Sequence, residues 1–280
     1  MGNKISLVLE GGGMRGAYSA GCLSWLIDEG ISFDGAYGIS TGAIHLSTFL
    51  FGKKEWLFST STRIITNKNY IGANALLKAH QLVDYDSMFK EYENTFGFDI
   101  TKLKTSTKAK IGLYDLNLGE TVYLPVEEFD NDFLKAACSL PLLGKVTKRN
   151  GHSYLDGGIT KMIPIEESIK DGYKKHLIIT TKPIDYVRKP ANKYIVKLMG
   201  LAYPSCPNIS KDYDVRHINY VTQIDIINDL VKKGDALYRY PTRKANVTRL
   251  GGSKEELVSL FDMGRSDMEN MREDIYKLLK

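Results

Sequence analysis

Two patterns of apolar positions alternate along this chain. Short continuous apolar runs are typical of strands buried on both faces, and longer segments with apolar residues at helical spacing are typical of packed helices. The apolar runs predict strands over residues 4–9, 33–39, 108–116, 120–126, 152–158 and 176–183. Because strands that alternate with helices usually pair in parallel and are covered on both faces, we predict an α/β fold with a mostly parallel central sheet.

Helices are predicted between these strands, most clearly over residues 17–29 and 41–50. Residues 55–95 form a largely helical insertion between core strands. Asn117-Leu118-Gly119 separates two of the strands and predicts a β-hairpin. These segments place most of the predicted sheet in the first two thirds of the chain.

The chain becomes mainly helical after Pro190, with clear helical stretches over residues 192–203 and 224–234. Ser253 and Glu256 form a predicted capping box at the start of a last long helix. The apolar stripe of that segment favours packing against the core over a lipid groove. We therefore divide the chain into an α/β part over residues 1–185 and a mainly helical extension over residues 186–280, packed on it.

The first helix of the extension allows two interpretations. Tyr194, Leu198 and Leu201 lie among apolar neighbours and are flanked by lysines. Such a helix could face lipid or act as a lid. We favour a core helix whose lysine stems extend along the apolar surface to reach solvent.

Composition and charge exclude several classes of protein. Hydrophobic residues make up 43% and charged residues 25% of the 280 residues, as in folded globular proteins. The formal net charge of +5 comes from scattered lysines and arginines, so we expect no nucleic-acid binding, whereas anionic lipid surfaces remain compatible partners. The three cysteines are widely spaced and suit a reducing compartment. Since no signal-peptide core or membrane span is evident, we expect a cytoplasmic protein, for which peripheral contact with a membrane surface stays open.

A Gly-x-Ser-x-Gly pattern, Gly38-Ile39-Ser40-Thr41-Gly42, stands between a predicted strand and a predicted helix. A serine on so tight a turn adopts strained dihedrals, and flanking glycines leave room for the chain to fold sharply. The turn exposes the hydroxyl, and the positive end of the following helix stabilises developing negative charge. This placement favours a nucleophilic Ser40 over an ordinary strand-to-helix turn.

The glycine-rich loop after the first strand has three interpretations. Residues 11–16 satisfy a dinucleotide-binding pattern, which requires an acidic residue at the end of the next strand. Asp34 precedes that strand instead, and Ser40 follows it. The glycines could also form only a structural turn. We favour an oxyanion hole, in which adjacent strand ends bring loop N–H groups to the carbonyl attacked by Ser40.

A nucleophilic serine needs a base, and none of the five histidines stands in a recognisable triad loop: His45, His80, His152, His176 and His217. Asp156, in Leu155-Asp156-Gly157-Gly158, ends a predicted strand and precedes two flexible residues. A carboxylate in a partly desolvated site can activate a serine directly. Asp-Gly-Gly is also a common turn, so this motif alone leaves both interpretations open.

Three motifs in this order and near this spacing, GGGMRG, GISTG and LDGG, resemble those of the patatin-like phospholipase family of lipid acyl hydrolases. ACSLP, residues 137–141, is similar to the family's small-residue segment before the aspartate strand. The resemblance covers roughly residues 4–183 and implies a modified α/β-hydrolase sheet with a Ser-Asp dyad. It implies that Ser40 is the nucleophile, that Asp156 is the general base, and that Gly11, Gly12 and Gly13 line the oxyanion hole.

Two residues beside the glycines bear on how closely the resemblance holds. Glu10 stands where many family members have aspartate, which leaves the oxyanion hole intact. Arg15 matches the family's arginine and either anchors the glycine loop or contacts a substrate phosphate. We favour the anchor, because an arginine beside a strained loop usually bonds local backbone or carboxylate partners.

By this resemblance residues 1–185 are the catalytic domain of a serine lipid acyl hydrolase, of phospholipase A, lysophospholipase or carboxylesterase type. We expect a lipid or another acyl ester as substrate, an acyl-enzyme intermediate, and no metal or organic cofactor. The sequence indicates no oligomeric state. Two other classes stay open: a non-catalytic lipid-binding or scaffold protein, and a dinucleotide-binding enzyme.

Overall fold

Eight strands form one sheet in the computed structural model, which describes residues 4–79 and 81–280. The strands are β1 (Ile5–Leu9), β2 (Gly35–Ile39), β3 (Lys108–Asp115), β4 (Glu120–Pro125), β5 (Thr147–Arg149), β6 (His152–Asp156), β7 (Lys175–Ile179) and β8 (Ala236–Arg239). β3, β2, β1, β7 and β8 are consecutive parallel neighbours, whereas β4, β5 and β6 pair antiparallel. The predicted α/β fold is confirmed, with a mixed sheet whose centre is parallel.

The helices cover the sheet and form the predicted insertion. They are α1 (Ala17–Asp28), α2 (Thr41–Leu50), α3 (Lys54–Thr62), α4 (Ala73–Ala79), α5 (Tyr85–Phe96), α6 (Asn131–Ala136), α7 (Ile165–Lys170), α8 (Lys193–Ala202), α9 (Ile209–Lys232), α10 (Lys254–Glu269) and α11 (Arg272–Leu278). α3, α4 and α5 fall within the segment predicted to be a helical insertion. None of the described helices combines the length and apolar character that a bilayer crossing requires.

The central strand β1 is buried on both faces. Leu7 and Leu9 belong to the larger apolar cluster, together with α1, α2 and α10, whereas Val8 belongs to a second cluster with Ile165 of α7 and Ile227 of α9. Successive side chains of a strand point to opposite faces, so helices must cover both sides of the sheet. This burial explains why β1 is a continuous apolar run rather than an alternating one.

α10 packs closely against α1 through two glycines. A side chain at Gly21 of α1 would overlap the backbone carbonyl of Phe261, and one at Gly264 of α10 would overlap that of Tyr18. α10 begins with the predicted capping box at Ser253. Its apolar stripe is buried, which confirms the packing interpretation.

The segment after residue 185 contains a strand that the sequence pattern did not predict. β8 pairs in parallel with β7, through Leu237 opposite Leu177, and so extends the sheet. The long α9 includes the predicted helical stretch over residues 224–234 and begins fifteen residues earlier than that stretch, at Ile209. The division of the chain at residue 185 stays a prediction.

The interpretation of the first helix of this region as a core helix is wrong. Tyr194 and Leu201 of α8 are 72% and 69% exposed, and Leu198 is half exposed. Only Met199 of this helix is fully buried. The spacing of the apolar residues predicted a helix correctly, but spacing alone does not tell which side of the helix another element covers.

A short hairpin formed by β5 and β6 ends at Asp156, and it was not predicted from the sequence. Asn150 and Gly151 connect its strands, both with positive φ, at 50° and 81°. Asn-Gly between strand residues is a strong local signal for a tight hairpin, so the sequence did contain the information.

Candidate active site

Two strand ends meet beside β3, and they carry Ser40 and Asp156. β2 and β4 both pair with Gly112 of β3, so they occupy opposite edges of that strand. β4 and β6 both pair with Leu113, so β6 lies on the same edge as β2. Because β2 runs parallel and β6 antiparallel to β3, their carboxyl ends point toward each other. Ser40 directly follows β2 and therefore lies next to Asp156.

Ser40 occupies the strained turn that its motif predicts. Its φ of 55° and ψ of −129° lie in a region that residues other than glycine rarely adopt, at a cost of about 1–3 kcal/mol. A Cβ atom at Gly38 would lie 2.7 Å from the Gly42 carbonyl oxygen, and one at Gly42 would lie 2.8 Å from the Leu9 carbonyl oxygen. The two flanking glycines are therefore required for β2 and α2 to join at this angle.

Asp156 is a buried carboxyl group, 3% exposed, at the end of β6. Its backbone N–H donates to the Ser139 carbonyl, 2.9 Å away, and its Oδ1 accepts from the Gly158 N–H at 2.8 Å. Burial raises the pKa of Asp156, against opposing effects of hydrogen bonding with Ser40 and the charges of Arg249 and Arg216. The carboxyl is thus poised to accept a proton more readily than an exposed aspartate.

The glycine loop lies directly against the serine. A Cβ atom at Gly11 would approach the Ser40 Cβ to 2.8 Å. The Gly11 N–H donates to the Met162 carbonyl at 3.2 Å, and the Gly12 N–H donates to the Thr41 hydroxyl at 3.1 Å. Gly13 has a φ of 61°, which turns the loop into α1. The loop reaches the site, and the role of its N–H groups as an oxyanion hole stays a prediction.

Ser40, Asp156 and the three glycines line one cavity. Part of its wall is apolar and comes mostly from the helical insertion and the segment before β6: Ile65, Ile71, Val83, Met88, Tyr92, Leu140 and Leu143. Another part carries cationic side chains: Arg15, Lys182, Arg188, Arg216 and Arg249. Ser40 and Asp156 thus share a cavity that offers both apolar and cationic surface.

Comparison with known families decides what kind of protein holds this site. The sequence model of the patatin-like phospholipase family matches residues 7–169, more than half of the chain. The chain belongs to the patatin-like phospholipase family. Membership supports a lipid acyl hydrolase activity in general terms. A second model, for a domain of unknown function designated DUF6363, matches residues 206–280.

Individual relatives of this patatin-like chain are distant. It is 26% identical over 187 residues to the uncharacterized protein YjjU of Escherichia coli, covering 64% of this chain and about half, 52%, of that protein. It is 24% identical over 287 residues to the probable lipid hydrolase 463L of Invertebrate iridescent virus 6, covering 94% of this chain and 91% of that one. VipD from Legionella pneumophila aligns in structure at 9% identity with a TM-score of 0.48, covering 97% of this chain and 67% of VipD.

Arg15 and Glu10 connect the patatin-like glycine loop to the segment before α10 and to the residues that follow β7. The Arg15 Nε donates to the Val247 carbonyl at 3.1 Å, as expected of a loop anchor, although the side chain also lines the cavity. Glu10 is fully buried, accepts from the Thr181 N–H at 2.7 Å and forms an ion pair with Lys182. The role of Arg15 as an anchor of the loop stays a prediction, and the sequence assigned no role to Glu10.

One histidine of this patatin-like chain lines the cavity, and the sequence had assigned it no role. His45, on α2, is buried, and its Nδ1 atom has no hydrogen-bond partner within the described part of the chain. Burial lowers the pKa of His45 to about 4. His152 instead bonds Asp115 at 2.6 Å, and His176 bonds Ser6 at 2.8 Å in the buried sheet. His80 lies outside the described residues.

A dinucleotide-binding loop requires an acidic residue at the carboxyl end of β2, and the sequence has none there. Asp34 lies at the amino end of β2, where its Oδ2 accepts from the Ile5 N–H at 2.8 Å. The carboxyl end of β2, where a ribose-binding acid would stand, is followed by Ser40. The arrangement of this patatin-like site therefore favours the oxyanion interpretation of the glycines.

Proposed function

We propose that this protein is a serine ester hydrolase that cleaves acyl esters of lipids through Ser40 and Asp156. The observation that carries the proposal is a serine held at a φ of 55° beside a buried aspartate whose pKa is raised. A strained serine at a strand-to-helix turn is typical of an activated nucleophile. A carboxyl group with a raised pKa is suited to take up the proton of the serine hydroxyl.

In the proposed reaction Asp156 accepts the hydroxyl proton as the Ser40 oxygen attacks the ester carbonyl. The protonated Asp156 then gives that proton to the leaving alcohol, and an acyl-enzyme remains on Ser40. The same aspartate next takes a proton from water, which attacks the acyl-enzyme. The fatty acid leaves, and the proton returns to Ser40.

The oxyanion is proposed to bind at the glycine loop. The Gly12 N–H lies beside the proposed nucleophile, where it donates to the Thr41 hydroxyl at 3.1 Å. This N–H would exchange the Thr41 hydroxyl for the oxyanion, and Gly11 and Gly13 shape the loop around it. Loss of one such donor typically slows an acyl transfer by about 100- to 1,000-fold.

The apolar wall of the cavity supports a lipid substrate. Ile71, Val83 and Met88 from the insertion line the same space as Ser40, so an acyl chain could lie there out of water. Burial of each methylene group contributes about 0.8 kcal/mol to binding. We therefore propose esters with long acyl chains rather than small polar esters.

Peripheral contact with a membrane is proposed for one surface, the α8 face, defined by Tyr194, Leu198 and Leu201. These side chains are exposed, and their spacing puts them on one side of α8, with Lys193 and Lys197 as neighbours. An apolar stripe beside lysines suits an anionic bilayer surface. A cytoplasmic location remains a prediction of the sequence.

The proposed reaction is tested with a fluorophosphonate probe, which forms an adduct only with an activated serine. We expect one adduct by intact-protein mass spectrometry, absent in Ser40→Ala and formed much more slowly in Asp156→Asn. Ser47→Ala is the matched control, because Ser47 is a buried serine of α2, the helix that follows Ser40, and donates to the Ala43 carbonyl at 2.9 Å. It should label like the wild type.

Hydrolysis of a long-chain lipid ester by the same four proteins then tests the substrate class. If the folded wild type forms no adduct in the presence of lipid, the hydrolase proposal fails and a non-catalytic lipid-binding role is favoured. If Ser40→Ala hydrolyses the ester as fast as wild type, another residue performs the reaction.

A further inference from the structure

The cavity contains more positive charge than the proposed reaction uses. Five cations line it, namely Arg15, Lys182, Arg188, Arg216 and Arg249, whereas Asp156 is the one carboxylate among its lining residues. Lys182 has a partner in Glu10. In the described part of the chain, none of the four arginines lies within 4.0 Å of an acidic side chain. The cavity wall is therefore strongly cationic.

Arg216 is the most unusual of these residues. It is only 8% exposed, although buried arginines are normally paired with an acid. One Nη donates to the Gly158 carbonyl at 2.7 Å, and the guanidinium lies 4.6 Å from the centre of the Tyr213 ring. Its buried Nε has no hydrogen-bond partner among residues 4–79 and 81–280. A buried donor without a protein acceptor is available to a ligand or to a water molecule.

Arg188 and Arg249 converge on the same place. Burial first, and then the charge of Arg188, lower the pKa of Arg216 to about 10, so it is still a cation at neutral pH. Arg249 lowers the pKa of both Arg188 and Arg216, so the three charges repel one another. A second, adjoining cavity is lined by the same three arginines and extends to Ile195 of α8. An anion bound among them would relieve the repulsion.

We infer that Arg188, Arg216 and Arg249 form a subsite for the phosphate of an acyl-ester substrate, so that the enzyme prefers phosphate-bearing lipids to neutral ones. This inference rests on the proposed function and names its substrate class. Three guanidinium groups offer forked donors that match the several oxygens of a phosphate. Arg216 and Arg249 belong to the domain of unknown function, residues 206–280, to which the inference assigns a part in substrate recognition.

The position of the subsite agrees with a head group close to the reacting ester. The Arg216 guanidinium donates to the Gly158 carbonyl, and the Gly158 N–H donates to the Asp156 carboxylate at 2.8 Å. A phosphate bound to Arg216 would therefore lie close to Asp156, the proposed base, because both side chains bond to Gly158. The apolar wall from the insertion remains free for the acyl chain.

The experiment compares two substrates with the same acyl chain, a lysophosphatidic acid and the corresponding monoacylglycerol. Arg188→Gln, Arg249→Gln and the double variant remove charge from the subsite, while Arg216 is left in place because it also holds the Gly158 loop. Arg243→Gln is the matched control, an exposed arginine of the same region that lines neither cavity. Circular dichroism and thermal melts establish that each variant is folded.

We expect kcat/KM for lysophosphatidic acid to fall on the order of tenfold for each arginine removed and about 100-fold in the double variant. For the monoacylglycerol, Arg188→Gln should change kcat/KM by less than about threefold. Arg249→Gln should lower it less than it lowers the value for lysophosphatidic acid, because the charge of Arg249 also lowers the pKa of Asp156. Arg243→Gln should leave both values unchanged. An equal fall with both substrates, or no fall with either, would overturn the inference.

A second measurement separates the subsite from the proposed reaction and from a site for free phosphate. Thermal stabilisation of Ser40→Ala by lysophosphatidic acid, by monoacylglycerol and by inorganic phosphate is compared with that of the same protein carrying Arg188→Gln and Arg249→Gln. Stronger stabilisation by lysophosphatidic acid than by monoacylglycerol, lost with the arginines, supports the subsite even if the wild type hydrolyses no ester. Stabilisation by inorganic phosphate alone overturns the head-group assignment.

Discussion

Asp156 shows how a single buried carboxyl group links stability to chemistry. Burial disfavours its ionised form, and this is the largest effect on its pKa, which is raised. The active base of the proposed reaction is that ionised form. The proposed reaction therefore needs the ionised carboxylate of Asp156, which burial in the fold disfavours. Such a conflict between stability and activity is common in active sites.

Replacing Asp156 by asparagine is expected to stabilise the protein at neutral pH. A carboxyl whose pKa is higher in the folded than in the unfolded state contributes stability below the unfolded pKa and loses it as pH rises through the folded pKa. Asp156→Asn does not ionise and so does not lose this stability as the pH rises. Its Tm should therefore exceed that of the wild type at pH 7, and the difference should become smaller toward pH 4. Thermal melts across this range measure the effect.

Asp28→Asn is a control with the opposite sign. Hydrogen bonds from Lys54 and Arg265 lower the pKa of Asp28, so its charge stabilises the fold above the unfolded pKa. This variant should be less stable than wild type at pH 7 and approach it as pH falls. If Asp156→Asn lost stability at pH 7 as well, burial would not be the dominant influence on Asp156.

α8 is an element whose exposed surface is unusual for a helix of a folded protein. Its apolar residues fall at helical spacing, yet one side of the helix faces solvent. The adjoining cavity reaches Ile195 and the arginines beside the proposed site. A lipid bound at the α8 face would thus lie near a path to Ser40.

Leu198→Gln combined with Leu201→Gln is expected to weaken binding to vesicles of phosphatidylglycerol and phosphatidylcholine by at least about tenfold. Fully burying one leucine contributes roughly 1.5–3 kcal/mol, so loss of two partly inserted side chains is sufficient. Cosedimentation with vesicles measures the partition coefficient. Leu118→Gln, at an exposed leucine of the β3–β4 turn, is the control. Equal binding by wild type and the double variant would exclude the α8 face.

The last third of the chain contributes elements to the sheet, the core and the cavity that the first two thirds also form. β8 covers the edge of β7, and α10 covers α1 through the close contacts at Gly21 and Gly264. The Arg249 carbonyl accepts from the Met14 N–H at 2.9 Å, beside the glycine loop. Sheet, core and cavity thus all include residues from both parts.

A chain that ends at residue 205 is therefore expected to lose cooperative unfolding. Removal of residues 206–280 exposes the edge of β7 and the apolar surface of α1 that α10 buries. Circular dichroism melts and dye binding measure this loss. A chain that ends at Asn270 lacks only α11 and should still unfold cooperatively, at a lower Tm. Cooperative unfolding of the shorter chain near the Tm of the full one would establish two independent domains.

The sequence by itself determined the local units on which the site is built. The turn at Ser40 depends on Gly38, whose Cβ position is blocked by the Gly42 carbonyl four residues later, whereas Gly12 and Gly13 are required by the distant Thr181 and Arg249. The capping box at Ser253 involves atoms three residues apart. Hydrophobic periodicity and steric limits act over such distances, so the α/β fold and the helical insertion could be predicted.

Only the tertiary structure decided which distant residues meet. Arg188, Arg216 and Arg249 come from three segments with no shared motif, and nothing in the local pattern marks them as neighbours. The exposure of α8, the burial of His45 and the pairing of β8 likewise depend on what packs against each element. Local sequence determines the shape of a segment, whereas its environment is determined by contacts that form only when the whole chain folds.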